Sequence, residues 1–142
     1  MKNSMRVEFP ANSDNERFAR NVAASFILEL DPTLDELSEI KTAVSEAVTN
    51  AIIHGYGNNE GVVIIEGMLF ENIVMLTISD HGKGIADIEL ARKPFYTESD
   101  MQERSGMGFT VMETFMDSVD VESIVGVGTK VIMKRKIGKN RF

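Results

Sequence analysis

A carboxylate, an amide and an imidazole recur at four-residue spacing in the middle of the chain. Glu46, Asn50 and His54 occupy positions i, i+4 and i+8 of a predicted helix, which places them on one stripe of its surface. An asparagine amide oxygen is a hard ligand that suits Mg²⁺, and a carboxylate one turn away can accept a proton. A solvated polar face would explain the same spacing. The stripe is flanked, however, by small or apolar residues, namely Ala43, Ala47, Ala51 and Ile53.

Two glycine-rich segments could hold an anionic ligand. In Asp80-His81-Gly82-Lys83-Gly84, a carboxylate directly follows a predicted strand, and the glycines let the backbone turn closely around a ligand. Arg104-Ser105-Gly106-Met107-Gly108 precedes a predicted helix, whose free N–H groups and positive dipole end attract phosphate. Taken alone, each has an ordinary alternative, a capped turn for the first and a helix cap for the second. The sequence contains neither a Walker A string nor a Rossmann fingerprint.

Hydrophobic periodicity predicts the elements that position these segments. Strands are expected at residues 5–9, 62–70, 73–79, 119–124 and 129–137, and helices at 13–30, 33–54 and 107–116. Ser13-x-x-Glu16 and Thr33-x-x-Glu36 are typical of capping boxes that open the first two helices. Residues 80–106 are too long for a simple connector and predict a functional loop, with at most a short helix near residues 87–91. Hairpin-connected strands and helices in blocks favour an α+β two-layer sandwich with a mixed, mostly antiparallel sheet.

The composition excludes several classes of function. A chain of 142 residues is expected to form one domain over residues 1–142. Without cysteine it cannot form disulfides or thiolate zinc sites, and its two histidines favour structural roles over a metal site. A net charge of −7 disfavours duplex nucleic acid, and the basic stretch from Lys130 onward reads as a strand end or a frayed terminus. With no apolar run of about 18 residues and no secretory signal, we expect a cytoplasmic protein that binds neither membrane nor nucleic acid directly.

The four motifs together resemble those of the GHKL superfamily of ATPases and kinases. They occur in the order Glu46-x-x-x-Asn50, Asp80-x-Gly82-x-Gly84, Gly106-x-Gly108 and Thr129. The string from Glu46 to Gly55 is similar to that of stand-alone anti-sigma-factor serine kinases. Nearly the whole chain resembles their sporulation (sigma-F) branch, and the general-stress branch is a near relative. The resemblance implies a Bergerat-type two-layer α/β sandwich with helices on one face of the sheet.

The resemblance also implies a role for each matched residue. Glu46 is expected to be the general base, Asn50 to hold Mg²⁺, and Arg104 to lie near the γ-phosphate of ATP. Asp80 is expected to accept a hydrogen bond from the adenine amino group. The other expected nucleotide-binding residues are Gly82, Gly84, Ser105, Gly106, Met107, Gly108 and Thr129. Arg20, on the first helix, is expected to take part in partner binding.

The reaction implied by the resemblance is ATP-dependent phosphorylation of a protein serine. The protein would be a homodimer that sequesters a sigma factor and phosphorylates the antagonist of that complex, an anti-anti-sigma protein. No segment resembles the phospho-acceptor domain of histidine kinases or the transducer of gyrase-type ATPases, so the acceptor is expected on another protein. Two alternatives remain. One is a nucleotide-gated binding module without catalysis, which Glu46 and Asn50 argue against; the other is a free-standing ATP hydrolase, which the short chain disfavours.

Overall fold

In the described part of the chain, five antiparallel strands form a single sheet, and the helices pack on one of its faces. The computed structural model describes residues 2–94 and 108–138. The strands lie in the order β1-β2-β3-β5-β4, and every pairing among them is antiparallel. Their bounds are β1 Asn3–Pro10, β2 Val62–Phe70, β3 Ile73–Asp80, β4 Ser118–Ile124 and β5 Gly128–Lys136. The predicted α+β two-layer architecture is therefore confirmed.

The helices follow the predicted order with two changes of helical type. They are α1 Asn15–Ile27, α2 Leu34–Asn50, α3 Ile88–Ala91 and α4 Gly108–Phe115. A 3₁₀ turn, Leu28–Leu30, continues α1, and a π-helical turn, Ala51–Gly55, continues α2. The short α3 begins after Asp87, whose side chain accepts the N–H of Leu90 at 3.0 Å. None of the helices in the described ranges is long and apolar enough to cross a membrane.

Only one of the two predicted capping boxes exists. At the start of α2, the Thr33 hydroxyl accepts the Glu36 N–H at 3.1 Å, and the Glu36 carboxylate accepts the Thr33 N–H at 2.9 Å. The box predicted for Ser13 and Glu16 is wrong, because α1 has no side-chain cap. Asn12 replaces it there: its side chain accepts the Asp14 N–H at 2.9 Å, which sets the turn that leads into α1.

The core lies between the sheet and the helical layer, with α2 packed against both α1 and α4. Alternate strand residues point into it, as the two-residue period of a strand requires. Val74, Leu76 and Ile78 of β3 and their partners in β5 are buried on this face. Packing across this core holds α2 in place on the sheet. It therefore sets the position of Glu46 and Asn50, which lie on the less buried side of α2, relative to the ends of β3 and β5.

The basic stretch after residue 129 is mostly strand β5, so the strand-end interpretation holds for residues 130–136. The basic stretch was expected to be solvated, but the side chain of Arg135 is buried among the core residues. Its guanidinium forms an ion pair with Glu39 of α2 at 2.7 Å and donates to the Phe115 carbonyl at the end of α4 at 3.0 Å. Arg135 thus joins β5, α2 and α4.

Candidate active site

Glu46 and Asn50 meet the start of α4. They lie on the last two turns of α2, whose opposite side is buried through Val44, Ala47 and Val48. A methyl group placed on Gly108, the first residue of α4, would lie 3.2 Å from both amide atoms of Asn50 and 3.4 Å from Oε1 of Glu46. The fold therefore brings three of the predicted site residues together. Only a residue without a side chain leaves this space open between α2 and α4.

His54 does not continue the predicted stripe. The backbone changes from α-helical to π-helical geometry immediately after Asn50, over Ala51–Gly55. The wider π turn advances by a smaller angle per residue, so position 54 no longer stands at the α-helical spacing from Asn50. π turns inside helices occur frequently at functional sites, and this one separates the Asn50 end of the site from the Asp80 end.

Asp80 forms the second part of the site, at the end of β3. Its side chain lies on the helix-facing side of the sheet and is only 7% exposed. Its Oδ1 accepts the N–H of Gly82 at 2.9 Å. Burial raises the pKa of Asp80 above its ordinary 3.8, although hydrogen bonds from the Gly82 and Thr129 backbone oppose that rise. A buried carboxylate with few protein donors is suited to accept a hydrogen bond from a ligand.

The glycines of the Asp80 loop are required by close backbone contacts. A side chain at Gly82 would collide with the carbonyl oxygen of Gly55. Gly84 has a φ of +78°, and a side chain there would collide with the carbonyl oxygen of Ile124 in β4. Both residues thus let the loop lie against its neighbours, in agreement with the predicted tight turn.

Thr129 completes this end of the site from β5. It pairs directly with Asp80 across the two strands, and on its other side it pairs with Ser123 of β4. The two hydroxyls are 2.8 Å apart, and Ser123 Oγ also accepts the N–H of Ile85 at 2.7 Å. Ser123 was not among the sequence candidates. Its place in an alternating strand beside Thr129 was the only signal that could have indicated it.

Gly55 is a second residue that the sequence interpretation did not assign to the site. The sequence predicts Gly55 only as the end of a helix. In the structure a side chain at this position would lie 2.8 Å from the carboxyl carbon of Asp80, so the Gly55 backbone forms one wall around that carboxylate. Its adjacency to the Glu46–Asn50 stripe was a weak signal for this role.

Several predicted site residues lie outside the described part of the chain: Arg104, Ser105, Gly106 and Met107. Arg20 is described but belongs to another region of the surface, on α1. Its guanidinium lies 3.8 Å from the Glu16 carboxylate, one turn away. Its Nε is buried and has no hydrogen-bond partner among residues 2–94 and 108–138.

Comparison with known proteins identifies the family. Residues 9–135 match the histidine kinase-like ATPase domain family. The chain belongs to that family. A family defined by its ATPase domain implies a nucleotide site, and the matched region contains Glu46, Asn50, Asp80 and Gly108.

Two curated relatives are similar along nearly their whole length. The anti-sigma F factor of Geobacillus thermodenitrificans is 56% identical over 142 residues, which cover 99% of this chain and 97% of that protein. The anti-sigma F factor of Clostridium perfringens is 59% identical over 138 residues, covering 96% of this chain and 99% of the relative.

Solved structures share the fold at much lower sequence identity. The RsbU and RsbW domains of a Mycobacterium tuberculosis protein align with a TM-score of 0.68 at 17% identity, covering 96% of this chain and 32% of that one. The catalytic domain of the histidine kinase ThkA aligns with a TM-score of 0.57 at 19% identity, covering 94% and 96%. These likenesses support the fold, a sheet with helices on one face, that the motifs predicted.

Proposed function

We propose that the protein is a cytoplasmic anti-sigma factor of the sigma-F type and an ATP-dependent protein serine kinase, formed by one domain over residues 1–142. The observation that carries the proposal is the meeting of Glu46 and Asn50 at Gly108. A carboxylate, a metal-binding amide and the N-terminus of a helix there share one space, which suits phosphoryl transfer. The relatives named anti-sigma F factors, at 56–59% identity, support the regulatory part of the proposal.

The two ends of the site would bind different parts of the nucleotide, the adenine at the Asp80 end and the triphosphate at the Gly108 end. Asp80, with Gly82, Gly84 and Thr129 around it, would hold the adenine ring, and its carboxylate would accept the amino group. Gly108 lies where the free N–H groups of the first turn of α4 can face phosphate oxygens. The segment that contains Arg104, Ser105, Gly106 and Met107 leads directly into α4, and we propose that it contacts the triphosphate.

Magnesium fits the donors at the Asn50 end. The amide oxygen of Asn50 is a hard ligand, and Glu46 adds negative charge close by. No cluster of three or more His, Cys, Asp or Glu suited to a metal is found in the described ranges. Mg²⁺ commonly keeps several waters and takes further oxygens from substrate phosphates, so one protein ligand is compatible with it. When bound, the ion would neutralise phosphate charge.

Glu46 is the proposed general base. Its carboxylate would take the proton from the hydroxyl of the acceptor serine while that oxygen forms a bond to the γ-phosphorus and the bond from phosphorus to the leaving ADP oxygen breaks. Arg104 would stabilise the charge on the transferring group. Because the acceptor belongs to the anti-anti-sigma protein, the site must remain accessible from outside.

We also propose that the protein is a homodimer and that Arg20 contributes to partner binding. The sheet face opposite the helices supports the first point, since no described element covers it and it carries Met68, Met75 and Ile132 between charged side chains. The partly exposed side chain of Arg20 on α1, whose Nε has no hydrogen-bond partner among the described residues, supports the second point.

The decisive experiment uses Glu46→Gln with labelled ATP and a purified anti-anti-sigma protein. Phosphorylation of the partner should fall by about 10²- to 10⁴-fold, because the base is lost, while ATP affinity stays close to that of the wild type. Equal loss of both would show that Glu46 is structural. Release of free phosphate without labelling of the partner would favour an ATP hydrolase, and nucleotide-dependent sigma binding alone would favour a binding module.

A further inference from the structure

Two hydrogen bonds join the end of the π turn to the Asp80 loop. The Gly55 carbonyl accepts the N–H of Lys83 at 2.9 Å, and the hydroxyl of the next residue, Tyr56, accepts the N–H of His81 at 2.7 Å. These bonds lie on either side of Gly82, whose N–H is bonded to Asp80 Oδ1. The backbone on both sides of that N–H is therefore fixed by residues that follow α2.

The Tyr56 hydroxyl is fully engaged in this connection. While it accepts from His81, it donates to the Val62 carbonyl at the start of β2 at 2.6 Å. Its ring packs against Gly61, where a side chain would have no room. The Tyr56 phenol oxygen thus joins the start of β2 to His81, the residue that directly follows the end of β3.

We propose that Tyr56 is a positioning residue for base recognition, acting through the His81 N–H to hold the Asp80 carboxylate in its binding orientation. The inference rests on the proposed function, in which Asp80 accepts the adenine amino group. Gly55 supplies one wall for that carboxylate, and the Tyr56 bond prevents the loop on its other side from moving away from Gly55. Adenine recognition at the Asp80 end is in this way tied to the helix that carries Asn50 at the phosphate end.

The physical reason is that a carboxylate whose orientation is already set before the ligand arrives binds the amino group more tightly, because less free energy is spent on ordering it. Of the backbone groups that hydrogen-bond to the Asp80 carboxylate, the Gly82 N–H belongs to the loop, and its direction depends on the residues on either side of it. Removing the Tyr56 hydroxyl leaves the His81 N–H and the Val62 carbonyl to water. The loop then loses one of its two attachments to residues 55–56.

The test is Tyr56→Phe, which keeps the ring that packs on Gly61 and removes only the oxygen. Binding is measured by calorimetry for ATP and for purine riboside triphosphate, which lacks the 6-amino group. We expect ATP to bind about three- to tenfold more weakly to the variant, the range for loss of a hydrogen-bonded hydroxyl. The analogue should bind wild type and variant equally, because it has no amino group for Asp80 to accept.

Thr42→Val is the matched control. It also removes a hydroxyl that donates to a backbone carbonyl, here that of Ser38 at 2.9 Å, but on α2 away from the Asp80 loop. Both nucleotides should bind it as they bind the wild type. Urea unfolding of all three proteins checks that each is folded.

Three outcomes would overturn the inference. Equal weakening of ATP and the analogue by Tyr56→Phe would mean that the hydroxyl supports the fold of the loop and not base recognition. Unchanged ATP affinity would mean that Asp80 does not depend on it. Failure of the folded wild type to bind either nucleotide would refute the nucleotide site itself, and this result is distinct from the other two because it precedes any comparison of variants.

Discussion

Replacing Gly108 by alanine tests the geometry on which the proposed chemistry depends. The added methyl group would lie 3.2 Å from the amide nitrogen and oxygen of Asn50 and 3.4 Å from Glu46 Oε1. The distances to Asn50 are shorter than such atoms ordinarily keep from a methyl group, so the Asn50 amide must move by about 0.2–0.5 Å, whereas the distance to Glu46 is an ordinary contact. A misplacement of about 1 Å can cost 10²-fold in rate, so this smaller shift should slow phosphoryl transfer about three- to tenfold.

The stability of Gly108→Ala should rise slightly or stay unchanged, although its rate of phosphoryl transfer falls. Alanine is favoured over glycine by roughly 0.5–1 kcal/mol in a helix interior and by less at the first residue, which offsets the tighter contact with the flexible end of Asn50. We therefore expect a free energy of unfolding in urea equal to or slightly above that of the wild type. The rate is measured in a single turnover with labelled ATP and the anti-anti-sigma acceptor, so that product release does not contribute.

Thr114→Ala provides the control for Gly108→Ala. Thr114 is exposed on the same helix, and its hydroxyl donates to the Thr110 carbonyl at 2.8 Å. This change also raises helix propensity but adds nothing between α2 and α4, so transfer should proceed at the wild-type rate. A wild-type transfer rate in Gly108→Ala would refute the reasoning, because Asn50 would then tolerate displacement without loss of function.

Two further predictions concern ionisable groups. Nucleotide affinity should fall on acidification at a higher pH than an ordinary aspartate would cause, because burial raises the pKa of Asp80 and its ionised form is the stronger acceptor for the amino group. ATP affinity is measured by calorimetry from pH 8 to pH 5 for the wild type and for Asp80→Asn. The titration of ATP itself affects both proteins equally and cancels in the ratio of their affinities. A ratio that does not change with pH would contradict the proposed role of Asp80. Burial by itself raises the pKa of Glu36, but hydrogen bonds from the Gly138 and Thr33 N–H groups and the charge of Arg135 outweigh it, so the pKa is lowered. The unfolded chain then binds a proton more readily than the folded one, so this stabilisation is present above the unfolded-state pKa of about 4.3 and is lost as pH falls through the folded-state value. Urea unfolding at pH 7 and at about pH 3 gives the decrease in the free energy of unfolding on acidification, which should be smaller for Glu36→Gln than for the wild type. Equal decreases would mean that Glu36 does not contribute to the pH dependence of stability.

Local sequence signals were sufficient for most elements, and they supplied the candidate site residues. Period-two and helical patterns located the five strands and the main helices, since each element must present one apolar face to the core. Thr33 and Glu36 formed the predicted capping box because both partners lie within one turn of each other. The apparent box at Ser13 failed because Asn12, one residue earlier, supplied a competing local turn.

Tertiary structure alone decided which of the candidate site residues meet. Gly108 faces Asn50 because α4 packs across α2, a contact between segments distant in the chain that no local pattern encodes. The π turn after Asn50 removed His54 from the predicted stripe and placed Gly55 against Asp80. Buried Arg135 likewise lies in a stretch whose composition indicated a solvated strand end. In each case the result depends on packing between elements, and this packing cannot be inferred from the spacing of residues along one element.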